Sequence, residues 1–180
     1  MKRILLVFIF AFFYSCGCDE ETYYLSEDKI ALFPYENTSS VTFIDNSENS
    51  VVFEDIRYER DVYEENNPTG FIAFGPKCDD SYEEIYVSMS SGNNYEFYIG
   101  TRSGFKTTIV DNTLGYFYLE KNEYINDYSF DGVTYNDVLR VYSEYHDSEV
   151  IFISNIGVVS IQYGYQELVP ELWQSLILLN

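Results

Sequence analysis

Hydrophobic and polar residues alternate over short stretches of the chain from Tyr23 onward, and clusters of Asn, Asp, Gly and Ser separate these stretches. An alternation with period two predicts half-buried β-strands, and frequent turn signals between strands are typical of antiparallel connections. We therefore predict an all-β fold with few helices. It is an antiparallel meander of roughly ten strands that forms a sandwich or a partly open barrel.

The clearest predicted hairpin joins residues 82–90 to residues 94–101 through a turn at 91–93. Successive side chains of a strand point to opposite faces, so each strand has one apolar and one polar side. The apolar face, which predicts the core, consists of Ile85, Val87, Met89, Tyr95, Phe97 and Ile99. The polar face consists of Glu84, Ser88, Asn94 and Glu96, and Tyr98 falls on it as well.

Further strands follow from the same alternation. They are predicted at residues 105–109, 116–120, 138–143, 149–154 and 157–163. The last segment, residues 168–179, fits either a strand or a helix, because its apolar residues also satisfy helical spacing. Pro170 tolerates a helix start but not a helix interior, so we favour a closing strand.

The first fifteen residues have the composition of an export signal. Lys2 and Arg3 form a short positive region, and residues 4–14 are apolar but too few to span a bilayer. We therefore predict a signal peptide at residues 1–15.

Ser15-Cys16 follows this apolar segment and resembles the lipobox of bacterial lipoproteins, in which cleavage precedes a cysteine that carries acyl chains. The resemblance implies a lipid anchor on Cys16, with Cys18 as the alternative position. An ordinary cleaved signal peptide without lipid is the other alternative. Acyl chains contribute about 0.8 kcal/mol per buried CH₂, so two or three of them anchor a protein firmly. Residues 16–27 then form a lipidated acidic tether, and residues 28–180 form a single β-rich domain.

The three cysteines connect this anchor to the fold. Export favours oxidation, so acylation of Cys16 leaves Cys18 and Cys78 as a pair that can form a disulfide. Acylation of Cys18 instead removes Cys16 with the leader and leaves Cys78 as an unpaired thiol. The position of the lipid therefore also decides whether a disulfide can form.

The composition is acidic and aromatic, with 30 Asp and Glu against 10 Lys and Arg, a formal net charge of −20, 19 Tyr and 14 Phe. Aromatic residues suit a pleated sheet. A negative surface repels phosphate backbones, which excludes nucleic acid as a partner. The simplest role of this charge is to keep crowded surface proteins soluble and apart. Alternatively, the charge attracts a basic protein partner or Ca²⁺.

No nucleophile elbow, phosphate-binding glycine loop or zinc motif occurs in the sequence. His146 precedes Asp147 and Ser148, but a catalytic triad requires residues from separate elements, so we predict a loop histidine without catalytic function. Residues 45–49 alternate oxygen donors, but Ser50 stands where an EF-hand needs glycine, and a polar hairpin turn is favoured. We predict no enzyme activity, no catalytic residues, no metal site and no cofactor. Glycoside hydrolysis, which needs only two carboxylates, stays an alternative.

Tyrosines are frequent along the mature chain, and they include Tyr23, Tyr24, Tyr63, Tyr82, Tyr98, Tyr116, Tyr118, Tyr163 and Tyr165. Such side chains either pack against cross-strand neighbours or offer stacking surfaces for sugar rings. Tyr98 lies on the polar face of its hairpin, which makes it the candidate for ligand stacking, with carbohydrate as the ligand.

Short motifs stand near both ends of the mature chain: Pro34-Tyr35 within residues 31–35, the Phe-ended segments 41–43 and 51–53, the segments 132–138 and 156–159, and Trp173. Together they resemble a group of Bacteroidota outer-membrane lipoproteins of unassigned function. Asp19-Glu20-Glu21 also resembles the surface-export signal of such lipoproteins, although a solvated tether explains it equally well. The resemblance implies a location and a fold, and it supplies no catalytic residues.

The leading hypothesis is an exported outer-membrane lipoprotein that faces the cell surface or the periplasm. Its acyl chains bind the lipid bilayer, and its domain is a non-catalytic binding or scaffold module. An acidic inhibitor or immunity-type protein directed against a basic partner is the first alternative. A glycan-processing enzyme is the second.

Overall fold

The computed structural model describes residues 21–64, 80–92, 95–101, 105–164 and 174–179. The signal peptide, the candidate anchors Cys16 and Cys18, and Cys78 lie outside these residues. None of the helices in the described ranges has the length and apolar character needed to cross a bilayer. The chain divides into two compact units. Unit 1 comprises Met1–Tyr24 and Val62–Glu83, and unit 2 comprises Leu25–Asp61 and Glu84–Asn180.

In unit 1, strand β1 (Thr22–Tyr23) runs parallel to the first residues of β4 (Ser81–Ser91). Tyr23 lies opposite Tyr82, and their rings stack with centroids 5.1 Å apart. Part of the predicted tether therefore pairs with a strand.

Unit 2 begins with a short helix, α1 (Glu27–Ile30), and a hairpin. Strands β2 (Val41–Ile44) and β3 (Ser50–Glu64) pair antiparallel. The Asp45 carboxylate accepts hydrogen bonds of 2.8 Å from the backbone N–H groups of Ser47 and Asn49. The bond from Asn49 is the main reason why the pKa of Asp45 is lowered. This geometry confirms the polar hairpin turn.

A meander in chain order follows, in which β4 pairs with β5 (Tyr95–Gly100), β5 with β6 (Lys106–Asp111), and β6 with β7 (Gly115–Leu119). The pairing confirms the predicted hairpin. Its apolar face is buried as expected, at Ile85, Val87, Met89, Phe97 and Ile99. Tyr95 is partly buried and packs against the same core.

The second half of the chain adds seven strands. They are β8 (Lys121–Ile125), β9 (Tyr128–Phe130), β10 (Val133–Tyr135), β11 (Val138–Tyr142), β12 (Glu149–Ile153), β13 (Gly157–Tyr163) and β14 (Gln174–Leu178). Strand β14 confirms the closing strand at residues 174–178, whereas Pro170 and Trp173 lie outside the described residues.

One large sheet contains all of these strands except the β9–β10 hairpin, in the order β7-β6-β5-β4-β3-β2-β14-β13-β12-β11-β8, with β1 beside β4. The sheet is nearly closed into a barrel, which confirms the all-β antiparallel fold. The described residues contain fourteen strands, more than the roughly ten expected from the alternation. The motif at residues 132–138 contains β10 and the first residue of β11, and Asp137 between the two strands has a φ of +54° that interrupts extended backbone.

The core of unit 2 is a cluster of buried side chains from strands along the sheet order, from β7 at one end to β11, the last but one at the other. Phe97 and Phe117 come from the meander, and Phe152 comes from β12. Full burial of one such side chain contributes about 1.5–3 kcal/mol. Tyr35, in the segment between α1 and β2, is buried as well, and its hydroxyl accepts a 2.7 Å hydrogen bond from the Val158 N–H.

Candidate ligand-binding site

A shallow cleft of about 320 Å³ lies on the outer face of β3, β4 and β5 in unit 2. Most of its lining is polar, although two tyrosine rings contribute. We call it the outer cleft, and its principal residues are Asp55, Arg57, Glu59, Tyr86, Ser88, Ser90, Glu96 and Tyr98.

Strand β3 supplies the charged side of the outer cleft through a local irregularity. Phe53 is buried, so simple alternation would turn Asp55 inward as well. Asp55 is instead exposed with a φ of +50°, and Ile56 packs against the core. One extra residue of this kind is a β-bulge, and it reverses the facing of every residue that follows. Arg57 and Glu59 therefore face outward into the cleft.

The other side of the cleft follows from the register between β4 and β5. Ser88 lies opposite Tyr98, and Tyr86 lies opposite Gly100. Tyr86 and Tyr98 are therefore diagonal neighbours on one face, and their ring centroids are 6.3 Å apart with planes inclined by 32°. Diagonal pairs of this kind are within reach of aromatic side chains.

Tyr98 is held in place by its neighbour on the same strand. Its hydroxyl donates a short hydrogen bond to the Glu96 carboxylate. This bond, followed by partial burial, raises the pKa of Tyr98 to about 12, so the phenol is neutral at physiological pH. The ring thus has a fixed position before any ligand arrives, which lowers the entropy cost of binding.

The aromatic surface continues beyond the cleft. Tyr98 lies opposite Thr108, and Thr108 lies opposite Tyr118, so the three residues form one row across β5, β6 and β7. Tyr116 and Tyr118 stand on the same outer face, 64% and 59% exposed, with ring centroids 6.3 Å apart and nearly parallel planes. We call Tyr86, Tyr98, Tyr116 and Tyr118 the outer tyrosine face.

Of the nine tyrosines named from the sequence as possible stacking surfaces, the structure brings together Tyr98, Tyr116 and Tyr118, and it adds Tyr86. Tyr163 is fully buried, so it is a core residue and offers no stacking surface. The alternation of β4 was a usable signal for Tyr86, since it places that residue on the face of Ser88. Alternation could not place the charged residues of β3 on this face, because a β-bulge without glycine cannot be recognised in the sequence.

His146 lies in the connection between β11 and β12, as predicted. Its ring packs edge-on against Phe117 at 5.9 Å. The buried Ser148 hydroxyl accepts a 3.4 Å hydrogen bond from the Gly164 N–H. These contacts give both residues structural partners in the barrel.

Within the described ranges, no group of three or more His, Cys, Asp or Glu side chains is arranged to hold a metal ion. The oxygen-rich segment at 45–49, considered as a Ca²⁺ loop, forms the turn between β2 and β3 instead.

Comparison with known proteins identifies no relative of this chain, and the resemblance to Bacteroidota lipoproteins stays a prediction. No family model, no curated protein and no solved structure matches the chain, so its function has to be inferred from the outer cleft and the leader.

Proposed function

We propose that this chain is an exported, lipid-anchored binding protein without catalytic activity, and that its ligand occupies the outer cleft. The main support for this proposal is the cleft itself. There, the bulged strand β3 places charged side chains beside two tyrosine rings on β4 and β5. A concave site with a few convergent polar groups is the default location of ligand binding.

The leader supports the anchored part of the proposal. A positive start, an apolar segment and Ser15-Cys16 are the features that direct export and acylation. The anchor then holds the domain at the outer membrane, facing the surface or the periplasm. Thr22, the first residue of β1 and paired with Ser81, follows Cys16 by six positions, so few residues separate the anchor from the first paired strand.

The construction of the cleft supports the binding part. All of its principal residues belong to strands, and strands position side chains more accurately than loops do. Ser88 and Tyr98 are fixed by the backbone register, and Glu96 fixes the Tyr98 ring. A preformed site of this kind binds without a large ordering cost.

Hydroxyl-radical footprinting of the full chain on intact cells and after purification tests the proposal. Tyr86 and Tyr98 should react less on cells, where the ligand is present, than in the purified protein. Tyr145 is the matched control because it is 89% exposed and lies outside the cleft, so its reactivity should be equal in both samples. Equal reactivity of Tyr86 and Tyr98 in both samples would contradict a ligand in the cleft.

A second candidate is an acidic inhibitor of a basic protein, favoured by the net charge of −20. Complexes that depend on such charge associate quickly at low salt and weaken as salt rises. A basic protein that co-purifies with the full chain only at low ionic strength would favour this candidate. Co-purification that does not depend on salt would count against it.

A further inference from the structure

The chemistry of the outer cleft indicates which ligand it takes, and this inference rests on the proposed function. Its net charge is the first indication. Asp55, Glu59 and Glu96 bring three carboxylates to the cleft, whereas Arg57 brings one cation. A phosphate, sulfate or carboxylate ligand would meet an excess of like charge, which disfavours binding.

The hydrogen-bonding groups are the second indication. The carboxylates accept, the Arg57 guanidinium donates, and the hydroxyls of Ser88 and Ser90 do both. A purely apolar ligand would leave these groups without partners after water is displaced, at a cost in affinity. A ligand whose own groups both donate and accept, as sugar hydroxyls do, can satisfy all of them.

The tyrosine rings are the third indication. A pyranose ring has polar edges and flat faces of C–H groups, and an aromatic face carries partial negative charge that attracts C–H groups. Tyr86 and Tyr98 are inclined to one another by 32°, so they offer two ring surfaces beside the polar lining. A monosaccharide unit can stack on one ring while its hydroxyls reach the serines and carboxylates.

The extent of the outer tyrosine face is the fourth indication. Tyr118 lies in the same cross-strand row as Tyr98, two strands away, and Tyr116 stands beside it. The aromatic surface therefore runs from β4 to β7, which is about 14 Å at the usual spacing of strands. A surface of this length suits several sugar units in a chain better than one.

We propose that the outer cleft and the outer tyrosine face together bind a neutral oligosaccharide. One sugar unit occupies the cleft against Tyr98 and Tyr86, and further units extend over β6 toward Tyr118. The residues that determine affinity are Tyr98 for stacking and Arg57 for hydrogen bonding.

Binding to an array of short neutral glucose, mannose and galactose oligomers, followed by calorimetry on the best binder, tests this proposal with the full chain in detergent. A sulfated oligosaccharide and spermidine serve as anionic and cationic comparisons. The neutral oligomers alone should bind. Tyr98→Ala should weaken binding by about tenfold, the value of one good aromatic contact. Tyr98→Phe should weaken it less because the ring stays.

Two further variants ensure that the conclusion does not depend on whether the Tyr98→Ala variant folds. Arg57→Ala, on β3, should also weaken the calorimetric affinity, whereas Tyr145→Ala, outside the cleft, should leave it unchanged. An array without a neutral binder, binding of spermidine alone, or equal affinities for wild type and both cleft variants would overturn the proposal.

The proposed function and the ligand class can fail separately. Protection of Tyr86 and Tyr98 on cells without binding of any neutral oligomer would refute the glycan and leave a ligand of other chemistry in the cleft. Absence of both signals would refute both. Shortening of the bound oligomer, seen by chromatography, would confirm the glycan and contradict a non-catalytic function.

Discussion

The hydroxyl of Tyr163, on β13, donates a 2.9 Å hydrogen bond to the carboxylate of Asp111, at the end of β6. The same carboxylate accepts hydrogen bonds from the N–H groups of Thr113 and Leu114, at 2.7 and 3.0 Å. Asp111 therefore shapes the turn into β7 and ties the meander to β13, which lies far from β6 in the sheet order. Both side chains are buried.

Removal of the Tyr163 hydroxyl should destabilise the barrel. Tyr163→Phe keeps the ring but takes one partner from a buried carboxylate, and such a loss costs about 1–3 kcal/mol. Chemical denaturation followed by circular dichroism measures the change in the free energy of unfolding. Tyr145→Phe, at an exposed position, should change stability by less than about 0.5 kcal/mol. Equal stability of both variants and wild type would show that the hydrogen bond has no net effect.

The buried tyrosines also predict an alkaline limit to stability. Burial raises the pKa of Tyr35 and of Tyr163 above the ordinary value. A group whose pKa is raised on folding stabilises fully below its unfolded pKa, and this contribution falls as the pH rises further. The unfolded value is about 10, so the free energy of unfolding should decline above about pH 10. Tyr163→Phe should show a shallower decline, and a slope equal to that of wild type would contradict the assignment.

Gly157 is required by the close approach of Tyr35. Its φ is +92°, and a Cβ atom built there would lie 2.8 Å from Cζ of Tyr35 and 3.3 Å from Cδ of Pro34. Both causes, backbone strain and crowding, act against any other residue. Gly157→Ala should therefore destabilise the protein by more than the roughly 1–3 kcal/mol of strained backbone alone.

Gly132→Ala is the matched control for this prediction, because Gly132 also has a positive φ, +74°, but has open space where the methyl group would lie. The difference between the two variants in thermal denaturation measures the crowding against Tyr35. If both variants lose the same stability, the contact with Tyr35 contributes nothing.

The pairing of β1 with β4 sharpens the prediction of a disulfide. The strands run parallel with Thr22 opposite Ser81, Cys18 precedes Thr22 by four residues, and Cys78 precedes Ser81 by three. The two cysteines therefore stand at similar sequence separations before a parallel pair of strands. With Cys16 acylated, we expect a Cys18–Cys78 disulfide.

Alkylation of free thiols in the membrane-extracted protein, followed by mass spectrometry, checks this prediction. Cys78 should resist alkylation in wild type and become reactive in Cys18→Ser. A reactive Cys78 in wild type would point instead to acylation at Cys18, and the mass of the N-terminal peptide would then show the lipid there.

Much of the meander could be predicted from the sequence, because side chains alternate between the two faces of a strand. Met89 and Phe97 had to share the buried face, and Tyr98 had to face outward, because side chains alternate strictly in regular strands. Sequence could not predict the bulge at Asp55, since aspartate tolerates a positive φ without any glycine signal. The charged side of the cleft depends on that single conformation.

Long-range pairing was equally beyond the sequence. Strand β14 closes on β2, with Ile177 opposite Ile44, and nothing in either segment specifies the other. Tyr35 follows Pro34 in a segment that carries turn signals, yet it enters the core and binds the Val158 N–H. Such a contact becomes visible only when the barrel is assembled.

Photo-crosslinking in cells can show whether the outer cleft is where this protein meets its ligand. A photoreactive amino acid would replace Ser88, which lies opposite Tyr98, and in a separate chain it would replace Thr134, an exposed strand residue in the β9–β10 hairpin. A ligand in the outer cleft should give a discrete adduct from position 88 and none from position 134. Equal adducts at both positions, or none at position 88, would contradict it.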